Sequence, residues 1–141
     1  MNRVLLIKIP ESMVTEPNKW LLKNTREGAV RAYVLKHPEV ISQDLTIENL
    51  LAINVLLDKW KEEDENFHQY TREADLLFER NGTYYLVETK RYKKHVRAQK
   101  QIAEVVECFK SDFRKNKQAY KDLVPVIVTT DDIDEIRTEW V

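Results

Sequence analysis

The chain contains a single cysteine, Cys108, so no disulfide can form within it. Cys108 falls in a helical pattern and is expected in the core. Glycine is almost as scarce. Gly28 and Gly82 are the only two, which leaves no glycine-rich phosphate loop and no sign of a nucleotide cofactor. The three histidines, His37, His68 and His95, are scattered and lack cysteine partners at ligand spacing, which argues against zinc. No apolar run approaches the length of a membrane span. Val4-Leu5-Leu6-Ile7 is closed by Lys8 and has neither the length nor the cleavage site of a signal peptide. These absences together point to a cytoplasmic protein. Excess charge is lacking too. Lys and Arg total 23 against 24 Asp and Glu, a net charge of −1, so bulk charge does not advertise a polyanionic partner.

What is present suits one globular domain over residues 1–141, with 43% hydrophobic content and enough length for a core. Its most informative stretch is organised by Asn81-Gly82. The pair lies between Ala74-Asp75-Leu76-Leu77-Phe78-Glu79 and Tyr84-Tyr85-Leu86-Val87-Glu88-Thr89-Lys90. Asn-Gly between two strand-like runs signals a two-residue hairpin turn, because both turn positions need positive φ. Arg80 then pairs with Thr83, and Asp75 falls opposite Glu88. Alternation directs Asp75, Glu88 and Lys90 to one face, beside Leu77 and Leu86. The other face, with Ala74, Leu76, Phe78, Tyr85 and Val87, reads as the core side.

Two carboxylates directly opposite one another repel, and would rather share a proton or a cation. Oxygen ligands suit Mg²⁺ or Mn²⁺, and a lysine beside them can orient a water or steady charge. The plain alternative is a surface charge cluster in which Glu73 and Asp75 pair with Lys90.

Asp75, twelve residues and then Glu88-Thr89-Lys90 resembles the motif of the PD-(D/E)XK nucleases. These include restriction endonucleases, Holliday-junction resolvases, and RecB- and NucS-type enzymes. The resemblance spans about residues 24–136 and is best over 73–109. It implies an α/β fold with a restriction-endonuclease-like core, a mixed central β-sheet flanked by helices. The motif hairpin should follow a helix, and be followed by a helix, a strand and often another helix. It also implies a Mg²⁺-dependent endo- or exonuclease acting on phosphodiester bonds in DNA. Asp75 and Glu88 would be the metal ligands with the Thr89 backbone carbonyl, and Lys90 would assist the attacking water. Glu27 would be an additional inward acid. Gln101 would be the glutamine that accompanies the lysine, although Val105 stands where a tyrosine is usual. Gln99 is a rival for that place, and a plain surface glutamine is the alternative. Asn24-Thr25-Arg26-Glu27 also has the pattern of a helix capping box, so Glu27 has two readings.

Lys90, Arg91, Lys93, Lys94, Arg97 and Lys100 fall within eleven residues that contain no acid. Such a strip can track DNA phosphates, or can be a solvated helix face. Along the rest of the chain, residues 3–9 are expected as a strand and 18–36 as a helix ended by Pro38. Residues 46–60 fit a helix capped by Thr46 or a strand equally well. The acidic stretch between Lys61 and Asn66 is expected as a loop. A long helix is expected over about 93–119, with Ile102, Val106, Phe109 and Phe113 as its apolar stripe. Val124–Thr129 follows as a buried strand, and a short last helix carries Ile133 and Ile136.

Other classes of function stay open on sequence alone. A catalytically silent nuclease-fold module would bind DNA or a protein without metal. An adaptor would use the N-terminal strand as an exposed sheet edge. With few residues to spare for sequence readout, a nuclease of this size would select structure, cut nonspecifically or depend on a partner. A homodimer fits that picture.

Overall fold

The computed structural model describes residues 4–14, 25–63, 66–90, 95–115 and 122–130. Among the described residues, seven helices and strands follow one another: β1 (Leu5–Lys8), α1 (Thr25–Lys36), β2 (Leu50–Glu63), β3 (Asn66–Arg80), β4 (Thr83–Lys90), α2 (His95–Lys115) and β5 (Asp122–Thr129). The five strands form one mixed sheet in the order β1-β5-β4-β3-β2. β1, β5 and β4 run parallel, while β4, β3 and β2 are antiparallel neighbours. The parallel β4–β5 pair needs a crossover, which α2 provides.

The Asn81-Gly82 hairpin has the expected register, with Arg80 opposite Thr83 and Leu77 opposite Leu86. Both turn residues take positive φ, 53° and 84°. Glu79 tightens the turn, its Oε1 accepting the Gly82 N–H at 2.8 Å.

The two helices cover opposite faces of the sheet. On one side Ala29, Val30 and Val34 of α1 pack with Leu76, Phe78, Val87, Val126 and Val128. On the other, Val105, Val106, Cys108 and Phe109 of α2 pack with Ala74, Leu77, Leu86 and Leu123. Ala98 and Ile102 continue that layer over Ile127 and Val4. Phe78 and Phe109 are fully buried, one in each layer. Each contributes about 1.5–3 kcal/mol of hydrophobic stabilisation. The expectation of a single core face is therefore corrected. Strands with parallel neighbours are flanked by a crossover helix, so both faces of β4 and β5 are apolar and covered.

Ala74 corrects a second expectation. It belongs to the α2 layer, not with Leu76 and Phe78. A backbone irregularity lies across the strand. Asn54 of β2 sits between the pairs Ile53–Leu76 and Val55–Ala74, opposite Asp75, and has φ of 53°. A left-handed residue inside a strand rotates the chain and breaks the simple two-residue alternation.

The ambiguous stretch 46–60 resolves into two parts. Thr46 precedes a short 3-10 turn, Ile47–Asn49, and its backbone N–H donates to Asn49 Oδ1 at 2.9 Å. β2 then runs on through Glu63. Glu62 and Glu63, expected in a loop, are strand, since Glu62 pairs with Phe67 and Glu63 with Asn66, while Asp64 and Glu65 lie outside the described residues. Cross-strand pairing outweighed the weak strand propensity of glutamate. β1 is an edge strand, as the adaptor reading supposed, but spans only four residues. The expected last helix and residues 18–24 lie outside the described residues. Among the described residues, no helix is long and apolar enough to cross a membrane.

Candidate functional site

The site lies where the β3–β4 ladder ends. Leu76–Val87 is its last pair, and continuing the register sets Asp75 opposite Glu88. The chains are held there by side-chain chemistry. Asp75 Oδ2 accepts hydrogen bonds from the Thr89 backbone N–H at 2.7 Å and from Thr89 Oγ1 at 2.9 Å. The carboxylate thus stands in for a ladder carbonyl. Asp75 Oδ1 accepts no hydrogen bond among the described residues.

Alternation along β4 sorts the remaining groups. Leu86 belongs to the α2 layer and Val87 to the α1 layer. Glu88 and Lys90 therefore fall on the α2 side and Thr89 on the α1 side. The sequence reading has Asp75 standing beside Glu88 and Lys90. In the fold its carboxylate instead turns to Thr89, whose hydroxyl lies on the α1 side, so Asp75 does not share the α2-side face of Glu88 and Lys90 that alternation predicts. The Thr89 hydroxyl also takes part, where the sequence points only to the Thr89 backbone carbonyl. The N–H and C=O of a strand residue project to the same side. The Thr89 carbonyl therefore projects toward β3, past the last ladder pair.

Glu88 is buried, with 6% exposure, and its Oε1 is closed off from solvent. A carboxylate removed from water in this way needs hydrogen bonds or a cation to offset its desolvation. Asp75 and Lys90 are partly buried. Burial of Glu88 is inconsistent with a simple solvated charge cluster. Glu88 is paired in register with Ile127, which Ala98 and Ile102 cover.

The position of Gln101 follows from the run of α2. The Phe109 ring meets Tyr84 at a centroid distance of 5.5 Å, while Ala98 and Ile102 lie near Ile127, so α2 runs antiparallel to β4. Gln101 is about 12 Å back along the helix from Phe109. Glu88 is about 13 Å along the strand from Tyr84. Gln101 is therefore level with Glu88. It is partly buried and follows the same helix edge as buried Ala98, Val105 and Cys108. Gln99 borders the opposite edge of the stripe, beside Ile102 and Val106.

Glu27 is the third residue of α1, the position a capping box requires. Its side chain lies outside the described residues. So do Arg91, Lys93 and Lys94, and the side chain of Arg97 in the first turn of α2. Lys100 is exposed on α2.

Two elements of the site were missed from sequence. Asn54 interrupts the apolar run Leu50–Leu57, and that lone polar residue was the available signal. Arg31 of α1 donates from Nη1 to Asn54 Oδ1 at 2.8 Å, anchoring the rotated rung to the helix. No motif announces a pair 23 residues apart.

The donors that these residues could offer a metal are all oxygen: two carboxylates and a main-chain carbonyl. Among the described residues, no group of three His, Cys, Asp or Glu side chains is placed to hold a metal ion. Mg²⁺ fits such a sparse site, because it keeps several waters and is commonly held by one or two carboxylates together with substrate phosphate. No family model, no curated protein and no solved structure matches the chain.

Proposed function

We propose that this protein is a metal-dependent nuclease of the PD-(D/E)XK type that hydrolyses phosphodiester bonds in DNA in the cytoplasm. One observation carries the reading. Asp75 is anchored by Thr89 through a single oxygen, one register step past the last pair of the hairpin ladder and opposite the buried residue Glu88. A helix before the hairpin, and a helix and a strand after it, from α1 to β5, is also the order that the resemblance implies.

Asp75, Glu88 and the Thr89 carbonyl would hold Mg²⁺ or Mn²⁺. When bound, the ion supplies Lewis acidity toward the phosphate and a water of lowered pKa. The chain's own contribution is placement. Thr89 fixes the rotation of the Asp75 carboxylate, and the α2 layer keeps Glu88 away from bulk water. Lys90 orients the attacking water or offsets the charge that builds on the phosphate. Glu27 and Gln101 are assigned supporting places, and Arg91, Lys93, Lys94, Arg97 and Lys100 the DNA backbone.

The test combines calorimetry with a cleavage screen over branched, duplex and single-stranded DNA in Mg²⁺ or Mn²⁺. Metal-dependent cutting, together with metal binding that Asp75→Asn weakens, is the expected result. Unchanged metal affinity in Asp75→Asn would remove Asp75 from the site. DNA binding with no metal-dependent cleavage of any substrate would favour the silent module.

A further inference from the structure

The carboxyl ends of the three parallel strands carry a second row of groups. Lys8 of β1 pairs in register with Thr129 of β5, and Thr129 pairs with Lys90 of β4. The Ile9 backbone N–H donates to the Thr129 carbonyl at 2.8 Å, so β1 and β5 remain joined beyond this rung. All three side chains fall on one face. Leu6 packs with the α2 layer, so alternation sets Lys8 there too, and Ile127 does the same for Thr129. Lys90 shares that side with Glu88. Lys8 is exposed, whereas Thr129 is fully buried between the two lysines' strands.

We infer that Lys8 is a phosphate-binding residue that extends the site across β5. It would contact the nucleic-acid backbone to one side of the bond addressed by Lys90. The inference rests on the nuclease reading for the identity of the polyanion. Two strand spacings separate Lys8 from Lys90, about 10 Å. One strand of duplex DNA advances about 3.4 Å along the axis per phosphate. The backbone winds around the axis as it advances, so neighbouring phosphates are farther apart than that rise, and the two lysines are spaced for phosphates fewer than three steps apart. Grooves outside the carboxyl ends of parallel strands are a general location for ligands in α/β sheets. A lysine on an edge strand can also guard against edge-to-edge association. That role alters oligomeric state and leaves the salt dependence of DNA binding unchanged.

The experiment is anisotropy with a short fluorescein-labelled DNA duplex, titrated over a range of salt in EDTA. Wild type is compared with Lys8→Ala and with Lys36→Ala, an exposed lysine at the end of α1 on the other side of the sheet. Lys8→Ala should reduce the slope of log K against log salt by about 0.9, one phosphate contact. Lys36→Ala should leave it unaltered. In cleavage assays Lys8→Ala should raise KM and spare kcat. An unchanged slope in Lys8→Ala, with wild type binding normally, overturns this inference and leaves the nuclease reading standing. Equal loss in both variants also overturns it, since the effect would then be general charge. A reduced slope for Lys8→Ala alone, in a protein that cuts nothing, supports the phosphate contact and overturns the enzyme reading. Absence of wild-type DNA binding both in EDTA and with Ca²⁺ added in place of Mg²⁺ overturns both.

Discussion

Asp75 and Thr89 are joined twice, the Thr89 N–H and hydroxyl both donating to the same carboxylate oxygen. They lie on adjacent strands just past the last backbone pair, so a side chain completes the sheet where the main chain no longer does. In the proposed nuclease, Asp75 Oδ1 would be the oxygen that meets the cation.

Thr89→Val keeps the shape and the N–H bond and removes the hydroxyl bond at 2.9 Å. A hydrogen bond to a charged acceptor is worth about 1.5–3 kcal/mol. Urea denaturation should show a loss in that range, and calorimetry a weaker affinity for Mg²⁺. Full metal affinity in the variant would show that Asp75 finds its orientation without Thr89.

Asn54 has φ of 53°, a region that costs a branched residue roughly 1–2 kcal/mol. Asn54→Val should destabilise the fold by at least that amount, and should weaken metal binding by misaligning the Asp75 rung. Asn54→Gly retains the backbone and loses only the exposed Arg31 contact, so it should be close to neutral. Equal costs in denaturation would assign the effect to the Arg31 hydrogen bond rather than to the rotated backbone.

Lys90 is assigned to the attacking water or the transition state, so its loss should spare ground-state binding. Lys90→Ala should fold and bind DNA nearly as well as wild type, yet cleave roughly a hundredfold more slowly. Single-turnover kinetics at saturating protein separates the two effects. Cleavage at the wild-type rate would place the chemistry elsewhere.

Neutralising Lys93, Lys94 and Arg97 should weaken DNA binding and flatten its salt dependence by about one unit per lost phosphate contact. The measurement is the same anisotropy titration. An unaltered slope would return the strip to a solvated helix face.

The hairpin register was legible from sequence because its determinants are local. Asn81-Gly82 dictates the turn, the turn dictates the pairing, and pairing sets Asp75 against Glu88 one register step past the last formed pair. The crossover helix and the strand after it were legible for a similar reason, as periodic apolar spacing over many residues. Residues 46–63 were not, because a short apolar run satisfies helix and strand alike until a partner strand is present. Tertiary structure also decided the rotation of the Asp75 carboxylate and the company of Lys8. The first depends on the two hydrogen bonds from Thr89, 14 positions later on the neighbouring strand, and the second on β1 docking beside β5. Local sequence carries the turn chemistry and the side-chain period. Which strand lies alongside, and so which charges share a rung, is settled only when the sheet assembles and both its faces are buried.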